Sequence, residues 1–249
     1  MDKCEWLHRQ LENLPIFKYP FSLEDLPHNG IYFFYEEGEN WGHGGDHQRI
    51  VRVGTHKGNN FRSRINDHFL FNERKMNFNE MKAAPKDRSI FRKNIGRALL
   101  NKEEDDYLKI WNRDFTPRDN REKYGHLRDI QKEKEIETRV TKILRNNFSF
   151  RFLMTDSQTE RIGSKGLESS LIGTLAKCDL CCPSNNWLGN FSPIKNINKN
   201  GLWLVQHLSA DVINEKEKVA ILSDIEETKK RLEENKWNGK KYMRRLKKK

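Results

Sequence analysis

Two β-type runs on either side of a glycine-rich stretch set the tightest limit on how this chain can fold. Gly30 to Glu36 (GIYFFYE) is dense in aromatic and β-branched residues, and Arg49 to Thr55 (RIVRVGT) alternates apolar with polar positions. Between them, Glu37 to His47 carries four glycines, which suits a long hairpin loop joining antiparallel neighbours. A third strand is expected at Phe148 to Met154 (FSFRFLM), where Phe148, Phe150 and Phe152 would share one face.

Helical periodicity accounts for most of the rest. Lys3 to Leu14 places Trp6, Leu7, Leu11 and Leu14 on one side and stops at Pro15. Further helices are expected at Asn60 to Phe71, at Ser89 to Leu100 with Ser89 as its cap, and at Asp129 to Arg145. Two more follow, from about Lys165 to Lys177 and from Asn214 to Asn235. Asn101 to Tyr124 is polar and irregular. The expected fold is α+β, a small three-stranded antiparallel sheet flanked by helices. Its domains would be an N-terminal helix and linker (1–27), a central domain (28–210) with a helical insertion at about 101–147, and a basic C-terminal arm (211–249). Leu222, Ile225 and Leu232 stand near heptad spacing, so the last helix could pair two copies as a homodimer.

The net charge of +11 is unevenly placed. Lys229 to Lys249 holds 11 basic and 2 acidic side chains, and Arg49 to Arg97 holds 13 basic and 4 acidic. Such clusters suit a polyanion, because neutralised phosphates release condensed counterions. Within the first cluster Lys57, Arg62, Arg92, Lys93 and Arg97 are the candidate nucleic-acid contacts. No apolar run approaches the ~20 residues that span a bilayer, and the N-terminus lacks a signal-peptide core. A cytoplasmic protein is the expectation.

Four cysteines are too few and too uneven for a disulfide scaffold. Cys178, Cys181 and Cys182 could start a zinc site with His207 downstream, but no second ligand pair stands at a usual spacing. The reading is reduced structural thiols, without zinc.

Taken in order, Gly30-Ile31-Tyr32, Arg52-Val53-Gly54, the Arg64/His68 pair and the later Glu168 resemble the GIY-YIG nuclease family, over about residues 28 to 208. Ile50 to Lys57, Ser89 to Leu100 and the Asn185 to Gly189 loop look like a standalone, restriction-type branch. The resemblance implies a DNA endonuclease that uses Mg²⁺, with Mn²⁺ as a substitute. Phosphodiester hydrolysis needs an activated water, a cation on the phosphate and positive charge for the developing oxyanion.

The resemblance makes Tyr32 the general base, although a phenol with a pKa near ~10 needs help to ionise. Arg64 would bind the scissile phosphate through its planar fork. His68, four residues on along the same helix face, would bond the tyrosine, a phosphate or the leaving group. Arg62 would point about 200° round that helix from Arg64. Glu168 would be the metal ligand, and Asn186, chosen over Asn185 and Asn190, the asparagine that follows it. The second motif departs from the family in offering Arg52 where tyrosine is usual. Arginine stays protonated and cannot be a base; Arg52 could steady the water or phosphate, or mark an impaired site. The runner-up reading is a non-catalytic nucleic-acid-binding protein on a decayed nuclease scaffold. The glycine-rich hairpin and the insertion are the natural places for base readout.

Overall fold

The computed structural model describes residues 2–155, 161–163 and 166–234. The basic tail from residue 235 and the expected helix start at Lys165 lie outside the described residues. Ten α-helices are present among those described: α1 (Lys3–Leu11), α2 (Phe61–Phe69), α3 (Pro85–Arg88), α4 (Ile90–Lys102), α5 (Leu108–Trp111), α6 (Arg118–Tyr124), α7 (Ile130–Asn147), α8 (Leu167–Ala176), α9 (Lys195–Asn200) and α10 (Glu215–Glu233). One antiparallel sheet joins β1 (Phe17–Lys18), β2 (Ile31–Asn40), β3 (Gln48–Gly54) and β4 (Phe148–Leu153), in the order β1-β4-β2-β3. The sheet therefore has four strands rather than three. β1 is two residues long, too short to leave a periodic signal, and it pairs Phe17 with Phe150.

The chain forms two compact units. The first comprises, among the described residues, those up to Ser63, those within Phe148–Ser184 and those from Leu204 to Glu234. Its sheet is held by aromatic burial: Tyr32, Phe33, Phe34 and Tyr35 of β2, successive residues on alternate faces, are all buried, so both faces are covered here. Phe17 stacks on Phe150 with ring centroids 5.5 Å apart, and Phe61 meets Phe152 edge-on at 5.6 Å. α8 packs against β3, α10 against β4, and α1 against both helices. Asn214 caps α10 in a reciprocal box: its side chain accepts from the Glu217 amide at 3.0 Å, and Glu217 accepts from the Asn214 amide at 2.8 Å. The buried stripe of α10 is Ile221, Ile225, Thr228 and Leu232. Leu222 points outward, 42% exposed. Of the three residues expected at heptad spacing, Ile225 and Leu232 lie in this stripe, and Ile221 rather than Leu222 completes it.

The second unit comprises Arg64–Asn147 and Asn185–Trp203. Ser89 caps α4, accepting from the Arg92 amide at 3.3 Å. The stretch expected to be irregular, Asn101 to Tyr124, contains α5 and α6. Trp111 of α5 is fully buried, and a side chain at Gly96 of α4 would collide with its ring. Arg92 of α4 meets Glu137 of α7, and Arg128 meets Glu133 of α7, both pairs with no exposed side-chain surface. No helix among the described residues is long and apolar enough to cross a membrane.

Candidate active site

In the first unit, Tyr32 lies opposite Gly54 on β3 and Phe152 on β4, at the centre of the sheet. Phe34, two residues on, lies opposite Arg52, so Tyr32 and Arg52 share one face. Tyr32 is 1% exposed and Arg52 6%. Gly54 is required here because any side chain would strike the Tyr32 phenol.

Directly after Gly54, Thr55 joins three segments. Its amide donates to Glu168 Oε1 at 3.1 Å, and its hydroxyl donates to the Gly30 carbonyl at 2.8 Å. The same hydroxyl accepts from Arg161 at 2.8 Å, and Arg161 also donates to the His56 carbonyl at 3.2 Å. Both glycine-bearing motifs are thereby fastened to the first turn of α8, where Glu168 sits. Burial raises the Glu168 carboxyl above its ordinary pKa, and Arg52, His207, the Thr55 amide and Arg161 pull it back. The result is a recessed carboxyl group among basic side chains, near a tyrosine strand.

Thr55, His56 and Arg161 were not legible as site residues. Arg161 lies far along the chain from Thr55, in a stretch with no spacing cue, and is 1% exposed. His56 closes the turn into α2, its Nδ1 accepting from the Asn60 amide at 3.2 Å.

The second unit holds the other candidates. Arg64, half-buried, donates to the Arg88 carbonyl at 3.1 Å and lines an open cleft of about 700 Å³ with Lys75, Lys82, Arg88 and Arg121. His68 does not accompany it to the surface. It is fully buried, its Nδ1 2.8 Å from the Ser89 hydroxyl and its ring edge-on to Phe91. Asn186 is exposed, beside a buried Trp187 that packs on Trp203 at 5.0 Å. Asn190 is used within the loop, donating to the Asn185 carbonyl at 3.2 Å.

The nucleic-acid candidates divide sharply. Lys57 is exposed. Arg62 is tied down, donating to the Leu26 carbonyl at 2.7 Å and the Glu24 carbonyl at 3.1 Å. Arg92 is fully buried, bonding Glu137 at 2.6 Å and the His68 carbonyl at 3.0 Å. Its charge is met inside the unit, by Glu137 and the His68 carbonyl, which sets it apart from the surface contact expected of it. Lys93 is also buried, giving its ammonium to the Arg113 carbonyl at 2.8 Å, and burial lowers its pKa to about 8. Arg97 bonds Asn112 and Asn94 at 2.6 and 2.7 Å.

No curated protein and no solved structure matches the chain. A family model described as the GIY-YIG domain does, over residues 5–228. That match reaches from α1 into α10, beyond the span over which the motifs alone carry the resemblance, and on this basis the chain belongs to the GIY-YIG domain family.

Proposed function

We propose that the chain is a divalent-metal-dependent DNA endonuclease hydrolysing phosphodiester bonds, with restriction-like double-strand cleavage as its mode. The observation that carries this reading is the stitch at Thr55, which fastens Glu168 to the strand end beside Tyr32. The family is one of nucleases, and the recessed carboxyl group among Arg52, His207 and Arg161 gives that chemistry a local basis.

In this reading Tyr32 takes the proton of the attacking water, and Arg52 supplies positive charge on the same sheet face. Arg64 binds a phosphate, a role that rests on its place in the motif order. The donor set fits a hard cation, because Glu168 is an oxygen ligand with one oxygen oriented by a backbone amide. Mg²⁺, or Mn²⁺ in its place, would be held by Glu168 and would neutralise charge developing on the phosphate. His68, whose ring nitrogen is engaged with the Ser89 hydroxyl, acts here as a positioning residue that anchors α2 to Ser89. Asn186 remains a substrate contact in this scheme.

Two observations favour a second reading, a binding protein on a decayed scaffold: Tyr32 is almost wholly buried, and Arg52 stands where the family offers tyrosine. Cleavage of a mixed-sequence supercoiled plasmid with Mg²⁺, beside EDTA and Glu168→Ala controls, separates the two. Discrete linear fragments that vanish in both controls support the nuclease. Retained DNA binding with no cutting in Mg²⁺ or Mn²⁺ supports the second reading.

A further inference from the structure

Away from Glu168, the first unit gathers four ligand-type side chains from three segments. Cys4 is on α1, His43 is in the loop between β2 and β3, and Cys178 and Cys181 follow α8. Their ligand atoms all lie within 4.8 Å of one another. Cys4 Sγ is 3.8 Å from Cys181 Sγ, and Cys178 Sγ is 3.4 Å from His43 Nε2.

These separations have a simple meaning. A tetrahedral zinc ion with Zn–S of about 2.3 Å and Zn–N of about 2.0–2.1 Å sets its sulfurs about 3.8 Å apart and sulfur from nitrogen about 3.5 Å. A disulfide would instead need sulfurs about 2.05 Å apart, and would leave two of the four groups unused. All four cysteines of the chain are free.

The surroundings are arranged for sulfur ligands. Backbone amides of Leu180 and Cys181 lie near Cys178, and that of Gly42 near Cys181. A side chain at Gly42 would run into the Leu180 carbonyl, so glycine is what lets the hairpin loop approach the cysteine loop. His43 is seated edge-on against the buried Trp41 at 5.4 Å. Cys4 is fixed through His8, which is 2% exposed: His8 Nδ1 bonds the Cys4 carbonyl at 2.9 Å, while its Nε2 accepts from the Ile50 amide at 3.0 Å. Asp2 caps α1 by accepting from the Cys4 amide at 3.2 Å. Oriented, hydrogen-bonded ligands of this kind are what tune and hold a metal.

We propose that Cys4, His43, Cys178 and Cys181 bind one structural zinc ion. Three thiolates and an imidazole in tetrahedral array select zinc over the hard cations that suit a lone carboxylate. Four protein ligands leave no open position, so the ion is structural rather than catalytic. The site differs from the one the sequence suggested. Cys182 is exposed, with its sulfur toward the Asp179 carbonyl, and His207 Nδ1 lies 3.2 Å from the Ser169 hydroxyl. Sequence spacing missed Cys4 and His43 because one lies at the start of the chain and the other in a glycine-rich loop.

The test is metal analysis of the purified full-length protein, followed by anaerobic replacement with Co²⁺. One zinc per chain is expected, with the visible absorption of tetrahedral cobalt and a sulfur-to-cobalt charge-transfer band. Cys178→Ser should lose most of the metal, whereas Cys182→Ser and His207→Ala should keep it. His43→Cys guards against a mere folding defect, since it should retain cobalt with a stronger charge-transfer band. Wild-type protein with neither stoichiometric zinc nor a cobalt band would overturn the site. So would loss of metal in Cys182→Ser equal to that in Cys178→Ser. Neither readout depends on DNA cleavage.

Discussion

The Tyr32 ring occupies the space that a side chain at Gly54 would need. The two residues face each other across β2 and β3, so the glycine of the second motif makes room for the tyrosine of the first. Gly54→Ala is therefore expected to destabilise the protein by about 1–3 kcal/mol through overpacking. Tyr32→Phe, which removes only the hydroxyl, should stay within about 0.5–1.5 kcal/mol of wild type yet abolish cleavage. Urea denaturation beside the plasmid assay checks both; equal stability of Gly54→Ala and wild type would refute the packing argument.

Arg92 and Glu137 bury opposite charges with no exposed side-chain surface. Arg92→Met should cost about 3–5 kcal/mol, because it leaves Glu137 buried without its cation. Adding Glu137→Met should recover a large part of that loss. Were Arg92 a phosphate contact instead, the single variant would weaken DNA binding without a comparable change in stability.

Lys93 gives a pH signature. Burial lowers its folded pKa from 10.5 to about 8, so between these values the unfolded chain holds a proton that the native state has released. Its contribution to stability therefore rises with pH across that window and is unfavourable below it. Lys93→Met should be more stable than wild type at pH 7, and the advantage should shrink by pH 9.5. Denaturation curves at the two pH values decide it, and an advantage that does not shrink would show that Lys93 is not titrating there.

Arg64 and Arg62 sit two residues apart on α2 but are held very differently. Arg64 lines the open cleft with one carbonyl bond, whereas Arg62 makes two carbonyl bonds within the first unit. Arg64→Ala should reduce cleavage by about 10²–10³ with stability changed by about 0.5 kcal/mol or less. Arg62→Ala should cost about 1–3 kcal/mol in stability with a smaller effect on cleavage. The reverse pattern in the same two assays would transfer the phosphate role to Arg62.

Local pattern carried most of the fold. β2, β3 and β4 stand out by aromatic and β-branched runs, and Ser89 and Asn214 mark helix starts because a cap acts within three residues of itself. What escaped depends on partners distant in sequence. Phe17 and Lys18 form a strand only because β4 offers them an edge. Arg92 reads as a surface cation until Glu137, 45 residues away, is seen to meet it. The same distance problem hid Arg161 from Thr55 and Cys4 from Cys181, 177 residues apart. In α10 the apolar positions 221, 222 and 225 admit two registers, and only the packing on β4 selects Ile221 over Leu222.

β2 lies between β3 and β4, and the whole of Arg64–Asn147 is synthesised before β4 exists. On the ribosome, at about 5–20 residues per second, the hairpin must then wait on the order of 5–20 seconds with one edge of the Tyr32 strand unpaired. That edge is rich in aromatic residues and is the kind of template on which chains aggregate. A chain released early would carry this open edge permanently, which makes the late strand at Phe148–Leu153 a safeguard of solubility as well as a wall of the sheet.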